Sequence, residues 1–150
     1  MEGGFFTLFI VNVEGAVYRE DKWLVIKRSL QEEHAGGLLS LVGGKVEKEG
    51  NSADLLERTL KRELYEEVGV EVKADIKYVQ NTSFAAENGV EVIDIVYLCE
   101  LASGEAYAKS PDEVEEVYWM TTEEIVNHID APIWLKESIQ KAEILRKWKL

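Results

Sequence analysis

Four residues suggest chemistry before any fold is considered: Arg62, Glu63, Glu66 and Glu67, within RELYEE. At roughly 100° per helical residue, with Leu56 at zero, Leu60 falls near 40° and Leu64 near 80°. Glu63 then falls near −20°, Glu67 near 20° and Glu66 near −80°. A charge run is usually a solvated face, but a solvated face lies opposite the leucines, and this one overlaps them. Carboxylates four apart on one face repel unless a cation lies between them. Clustered oxygen ligands suit Mg²⁺ or Mn²⁺ better than zinc. Arg62 precedes Glu63 by one and Glu66 by four, so it can neutralise or orient either.

These side chains need a helix to carry them. Residues 52 to 67 contain no Gly or Pro, Asn51 is a good N-cap with Asp54 three positions on, and Gly69 stands where a C-terminal glycine belongs. Ahead of the helix, a Gly43-Gly44 turn opens a polar loop.

The stretch from Arg62 to Val70, RELYEEVGV, resembles the second half of the Nudix box, R-E-U-x-E-E-x-G-U with U aliphatic, at all its specified positions. Gly43-Gly44-Lys45-Val46-Glu47 resembles its opening. The chain departs from the full pattern, G-x5-E-x7-R-E-U-x-E-E-x-G-U, in three places. The interval from Gly44 to Arg62 is four residues longer, Asp54 stands where a Glu is expected, and Val42 replaces the usual preceding Pro. The first two changes bear on loop geometry, and so on substrate preference, more than on the metal-binding half.

The resemblance implies roles. Glu66 and Glu67 are the metal ligands, and the backbone carbonyl of Gly43 adds another. Glu63 matches the position that serves as base or as a further ligand, and Arg62 orients it. Members of this family often recruit one more carboxylate from a distal loop. Counting back six from Trp119 gives Glu113 as first choice, with Glu115 and Glu116 as the alternatives and a solvated loop glutamate as the plain reading.

The remaining elements follow from pattern. Residues 5–18 read as a long strand and 22–28 as its hairpin partner. Arg28 ends that partner and is a candidate phosphate ligand, with a solvated arginine the equal alternative. His34 lies in a polar loop. It and His128 stand far apart without Cys partners, which disfavours zinc. Leu39–Val42 is a short strand. After the helix, 70–84 reads as one strand with Tyr78, Gln80, Thr82 and Phe84 on one face. Asn88-Gly89 signals a type I′ turn, and 90–101 reads as a central strand covered on both faces. A short strand spans 114–120, and Thr121 or Thr122 starts a short helix through His128 with a Glu124 capping box. Asp130 is the expected cap of the last helix, whose apolar stripe runs through Leu135, Ile139, Ala142, Leu145 and Trp148. For stacking on a nucleobase, Phe84 and Trp134 are the candidates, although ordinary packing is the readier reading of each.

The expected architecture is α+β with a mixed sheet, in agreement with the α/β/α sandwich the resemblance implies, as one domain over residues 1–150. A net charge of −12 excludes a nonspecific nucleic-acid binder. Apolar runs are too short to span a bilayer, and Met1-Glu2-Gly3-Gly4 lacks the basic region of a signal peptide. Cys99 lies in an apolar run and reads as core, so a cytoplasmic location is expected. The resemblance points to metal-dependent hydrolysis of a nucleoside diphosphate linked to a group X. A nucleoside triphosphate is the first choice of substrate, then ADP-ribose or a sugar nucleotide. A non-catalytic nucleotide sensor and an isoprenoid diphosphate isomerase are the rival readings, and a homodimer is left open.

Overall fold

The computed structural model describes residues 7–148. Its elements are β1 (Phe9–Arg19), β2 (Lys22–Arg28), β3 (Leu39–Ser40), β4 (Val42–Lys45), α1 (Leu55–Val68), β5 (Glu71–Val72), β6 (Lys77–Ala85), β7 (Glu91–Ser103), β8 (Val114–Thr121), α2 (Thr122–Val126) and α3 (Ile133–Lys147). The expected first strand residues Phe5 and Phe6 lie outside the described residues. All eight strands join one sheet. It is mixed: β1 runs parallel to β7, and the other pairings are antiparallel.

Strand alternation splits the core into two layers. Val13, Val17 and Cys99 face one way, against Leu60, Leu64 and Val68 of α1. Ala16, Val96 and Leu98 face the other way, against Ile125, Leu135 and Ile139 of α2 and α3. The expected α+β fold with helices on both faces is what forms. The apolar run of β7 is central, with Val96, Tyr97, Leu98 and Cys99 buried in succession.

The hairpin of β1 and β2 is short. The two strands pair only at Tyr18–Trp23 and Arg19–Lys22. Beyond that they splay, because β1 pairs with β4 and β7 while β2 pairs with β3 and β8. This opening brings the end of β2 near both faces of the sheet.

Several local expectations give way to tertiary pairing. Leu39–Val42 is two strands: β3 pairs with β2, and β4 pairs with β1. Gly43 and Gly44 form no turn; they are extended residues of β4 opposite Glu14 and Val13. Glycine is required there for close approach. A Cβ on Gly43 would overlap the Val13 carbonyl oxygen, and one on Gly44 would sit 2.5 Å from the Glu63 carboxylate. The α1 helix begins at Leu55 rather than 52, since Asp54 takes a left-handed conformation at φ 56° and makes no side-chain cap. Arg58 ties down the long loop instead, donating to Ala53 O at 3.0 Å and Glu49 Oε1 at 2.6 Å. At the other end Gly69 is left-handed, as expected, and its N–H returns to the last turn.

The expected strand 70–84 is β5 and β6, because the Lys73 N–H binds Glu100 O and the chain detours before rejoining the edge of β7. A register shift between Tyr78 and Gln80 turns Tyr78 off the face shared by Gln80, Thr82 and Phe84. The turn after β6 is not type I′. Gly89 N–H binds Ala86 O and only Gly89 has positive φ, so this is a three-residue loop with a left-handed glycine. Thr121 and Glu124 do form the capping box of α2, which stops at Val126. The α3 N-cap is Pro132, not Asp130. The Asp130 backbone serves elsewhere: its carbonyl accepts from Leu39 N and its N–H donates to His128 Nδ1. Trp148, the last residue of the expected apolar stripe, is exposed.

Candidate functional site

Glu63 and Glu67 are one turn apart on α1. Glu113 comes from the loop ahead of β8, and one carboxylate oxygen from each lies within 4.8 Å of the others. Backbone bonds hold the loop there. Lys109 N and Ser110 N both donate to Glu67 O, at the C-terminal end of α1 where carbonyls lack helical partners. Ser29 N then donates to Glu113 O, which fastens the loop to the segment after β2. The bare face of Gly44 lets Glu63 lie directly against β4.

The electrostatics are costly without a cation. Glu67 is only 5% exposed, and its Oε2 is buried with no hydrogen-bond partner among the described residues. Burial, then the hydrogen bond with Glu63, then the charges of Glu113 and Glu63 push its carboxyl up to about 10, against a smaller opposing pull from Arg28. Glu113 is also raised, by burial and then by Glu63. A buried, unpartnered carboxylate oxygen among other carboxylates fits a divalent cation bound by oxygen ligands.

The other sequence-derived residues fall into place unevenly. Arg62 lies 3.5 Å from Glu63 and 3.9 Å from Glu66, so it stands where it can orient either. Glu66 is exposed beside Arg62 and lies outside the three-carboxylate group. Glu115 is engaged by Lys27 at 2.9 Å and Glu116 accepts from Tyr118, so both alternatives to Glu113 are drawn away.

A cavity of about 740 Å³ lies on the α3 face of the sheet. Phe84 and Trp134 both line it, from β6 and α3, and Arg28 lines it from the end of β2. Arg28 donates to His34 O at 2.9 Å and lies 3.7 Å from Glu32. Its charge lowers the pKa of Glu14 in the cavity and of Glu67 in the carboxylate group, so it bridges the two regions.

Three residues of this cavity were missed by sequence reasoning. His34, read only as a loop residue, lays its ring on Phe84 (centroids 5.6 Å apart, planes at 13°) and near Trp134 (6.4 Å, 25°). Glu14 and Asp94 stand on adjacent strands, both half-buried. Burial, first, then the charge of Asp94 and its side-chain interaction raise Glu14 well above the usual carboxylate range. Asp94 is raised too, by burial. The signal was available: an acidic residue inside VNVEGAVY and another inside VIDIVYLC break otherwise apolar strands. Cys99 is fully buried, and burial pushes its thiol up to about 12, so it is no nucleophile. No helix among the described residues is long and apolar enough to cross a membrane.

Comparison with known proteins agrees with this geometry. Among curated proteins, none matches the chain. Among solved structures, a MutT Nudix hydrolase from Burkholderia pseudomallei superposes with a TM-score of 0.72 at 24% identity, covering 89% of this chain and 98% of its own. The MutT protein of Methanosarcina mazei Go1 reaches 0.77 at 21% identity, covering 98% and 100%. The Nudix domain of Shewanella oneidensis NrtR, complexed with ADP-ribose, reaches 0.74 at 18% identity, covering 94% and 90%. Identities this low speak to the fold. The NUDIX domain model matches residues 8–142, and with RELYEEV placed on α1 beside Gly44, the chain belongs to the NUDIX family.

Proposed function

We propose that this protein hydrolyses a nucleoside diphosphate linked to a further group, by attack of water on phosphorus, with Mg²⁺ or Mn²⁺ as cofactor. The observation that carries the reading is the unpartnered Oε2 of Glu67 inside the Glu63–Glu67–Glu113 group. Glu63, Glu67 and Glu113 would hold the cation, with Glu66 and the Gly43 carbonyl completing its shell. The chemistry such an ion supplies is neutralisation of phosphate charge and acidification of a bound water.

The chain's own residues do the rest. Arg62 holds the Glu63 carboxylate in place, as ligand or as base toward the attacking water. Arg28, between the carboxylate group and the cavity, pairs with a phosphate that extends from one to the other. Phe84 and Trp134 flank the base. A nucleoside triphosphate is the first choice of substrate, then ADP-ribose or a sugar nucleotide. The ADP-ribose held by the Shewanella protein supports keeping the second class. The buried Cys99 argues against an isoprenoid diphosphate isomerase, and the intact RELYEE set argues against a sensor that has lost its site.

The test is a screen of nucleotides, sugar nucleotides and dinucleoside polyphosphates with Mg²⁺, Mn²⁺ or EDTA, with products separated. Release of a nucleoside monophosphate, only with metal, is the expected result. Tight nucleotide binding without turnover anywhere in the screen would reject hydrolysis in favour of a sensor. A rearranged diphosphate with no phosphorus–oxygen cleavage would identify an isomerase.

A further inference from the structure

We propose that Asp94 selects the nucleobase in this cavity by accepting a hydrogen bond from an exocyclic amino group, so that the substrate is an amino-bearing purine nucleotide. This rests on the reading of the cavity as the nucleotide site, and it specifies what that site prefers.

Three strands converge on the position. Asp94 of β7 lies opposite Asn12 of β1 and Thr82 of β6, all three lining the cavity. Phe84 lies opposite Val92, two residues along from Asp94, which is roughly 7 Å along a strand. A bicyclic ring stacked against Phe84 spans that step and brings its edge to Asp94. The rim confirms that a flat ring suits this place, since His34 already lies parallel to Phe84 within 13° and near Trp134.

The chemistry of the floor is one-sided. Asp94 shares a side-chain interaction with Glu14, and a carboxylate has lone pairs for more partners. An acidic side chain in the middle of the central strand is a poor choice for packing, and no Lys or Arg forms an ion pair with it among the described residues. Its remaining acceptor capacity lies on the part of the cavity wall where its strand neighbours, Asn12 and Thr82, are neutral, while Arg28, Lys141 and several glutamates line other parts of the cavity. An amino group meets that acceptor; a base with hydrogen at the same position leaves it unsatisfied. Leaving a charged acceptor unpaired is where discrimination is strongest.

The test measures binding of nucleoside 5′-monophosphates, which require no turnover, by calorimetry in Mg²⁺. Two pairs differ by one amino group each: GMP against IMP, and AMP against purine riboside 5′-monophosphate. The wild type is expected to bind the amino member of at least one pair on the order of tenfold more tightly. Asp94→Ala, which removes the acceptor, should bring the two members of that pair within about threefold, while Phe84→Ala should weaken both and keep their ratio. Should Asp94→Ala fail to fold, Asp94→Val serves for the same ratio. Equal affinities within both pairs in the wild type, or a preference that survives loss of the carboxylate, would overturn the assignment. A preference between AMP and dAMP that vanishes with Asp94, without any preference between amino and hydrogen, would place the residue at the sugar and overturn it too. If no monophosphate binds, both the assignment and the nucleotide reading of the cavity fall. If they bind with the stated preference but no diphosphate substrate is cleaved, only the hydrolase reading falls.

Discussion

Removing the charge of Glu67 should abolish turnover and yet stabilise the metal-free protein. The folded carboxyl sits near 10 against an ordinary value of 4.5. A group raised on folding contributes its stability fully below the unfolded value and loses it as pH rises towards the folded one. At about pH 7.5 the unfolded chain has gained some three pH units of ionisation that the fold resists. At 1.36 kcal/mol per unit this is a penalty of about 4 kcal/mol. Glu67→Gln removes it, but the introduced amide must satisfy its own N–H groups on Glu63 or Glu113. Allowing about half for that leaves a gain of about 2 kcal/mol, or roughly 4–8 °C in Tm for a chain of this size. Thermal unfolding in EDTA from pH 5 to pH 8 is the assay. The advantage of the mutant should be near zero at the acid end and grow with pH, while its hydrolysis at saturating Mg²⁺ is lost. A mutant no more stable than wild type at pH 8, or an advantage that is flat with pH, would refute the burial of a carboxyl whose Oε2 has no partner. Near wild-type turnover would remove Glu67 as a ligand.

Four further outcomes are expected. Mg²⁺ or Mn²⁺ should raise the Tm of the wild type, because the ion binds the assembled carboxylates and not the unfolded chain, and Glu66→Gln/Glu67→Gln should lose that shift in the same melting assay. Glu113→Gln should lower kcat and kcat/KM together, the mark of a ligand that acts in the transition state. Glu115→Gln and Glu116→Gln should stay close to wild type in steady-state kinetics, since Lys27 and Tyr118 hold those carboxylates away. Gly44→Ala should displace Glu63 and weaken metal affinity measured by titration, whereas Gly43→Ala should cost stability, about 2 kcal/mol by denaturant unfolding, because its Cβ meets backbone that cannot yield.

Local chemistry determined a good part of this protein in advance. RELYEE placed acid on the leucine face of a helix, and α1 buries Glu67 beside Leu64 and Val68 as that face requires. Gly69, the capping box of Thr121 and Glu124, and the buried run of β7 were equally legible, because each depends on residues within a few positions of one another. What tertiary structure decided was pairing at a distance. Gly43 and Gly44 are glycines because β1 and Glu63 approach them, not because the chain turns there. Asp54 took over from Asn51, and Pro132 from Asp130, once Arg58 had tied the loop and β3 had claimed the Asp130 carbonyl. The cavity was the least visible of all. Glu14 and Asp94 come from strands some eighty positions apart that become neighbours only through the parallel pairing of β1 and β7, and His34 meets Phe84 only when the loop after β2 folds over β6. Spacing along one helix is a property of the sequence; adjacency across a sheet depends on which strands the whole core brings together.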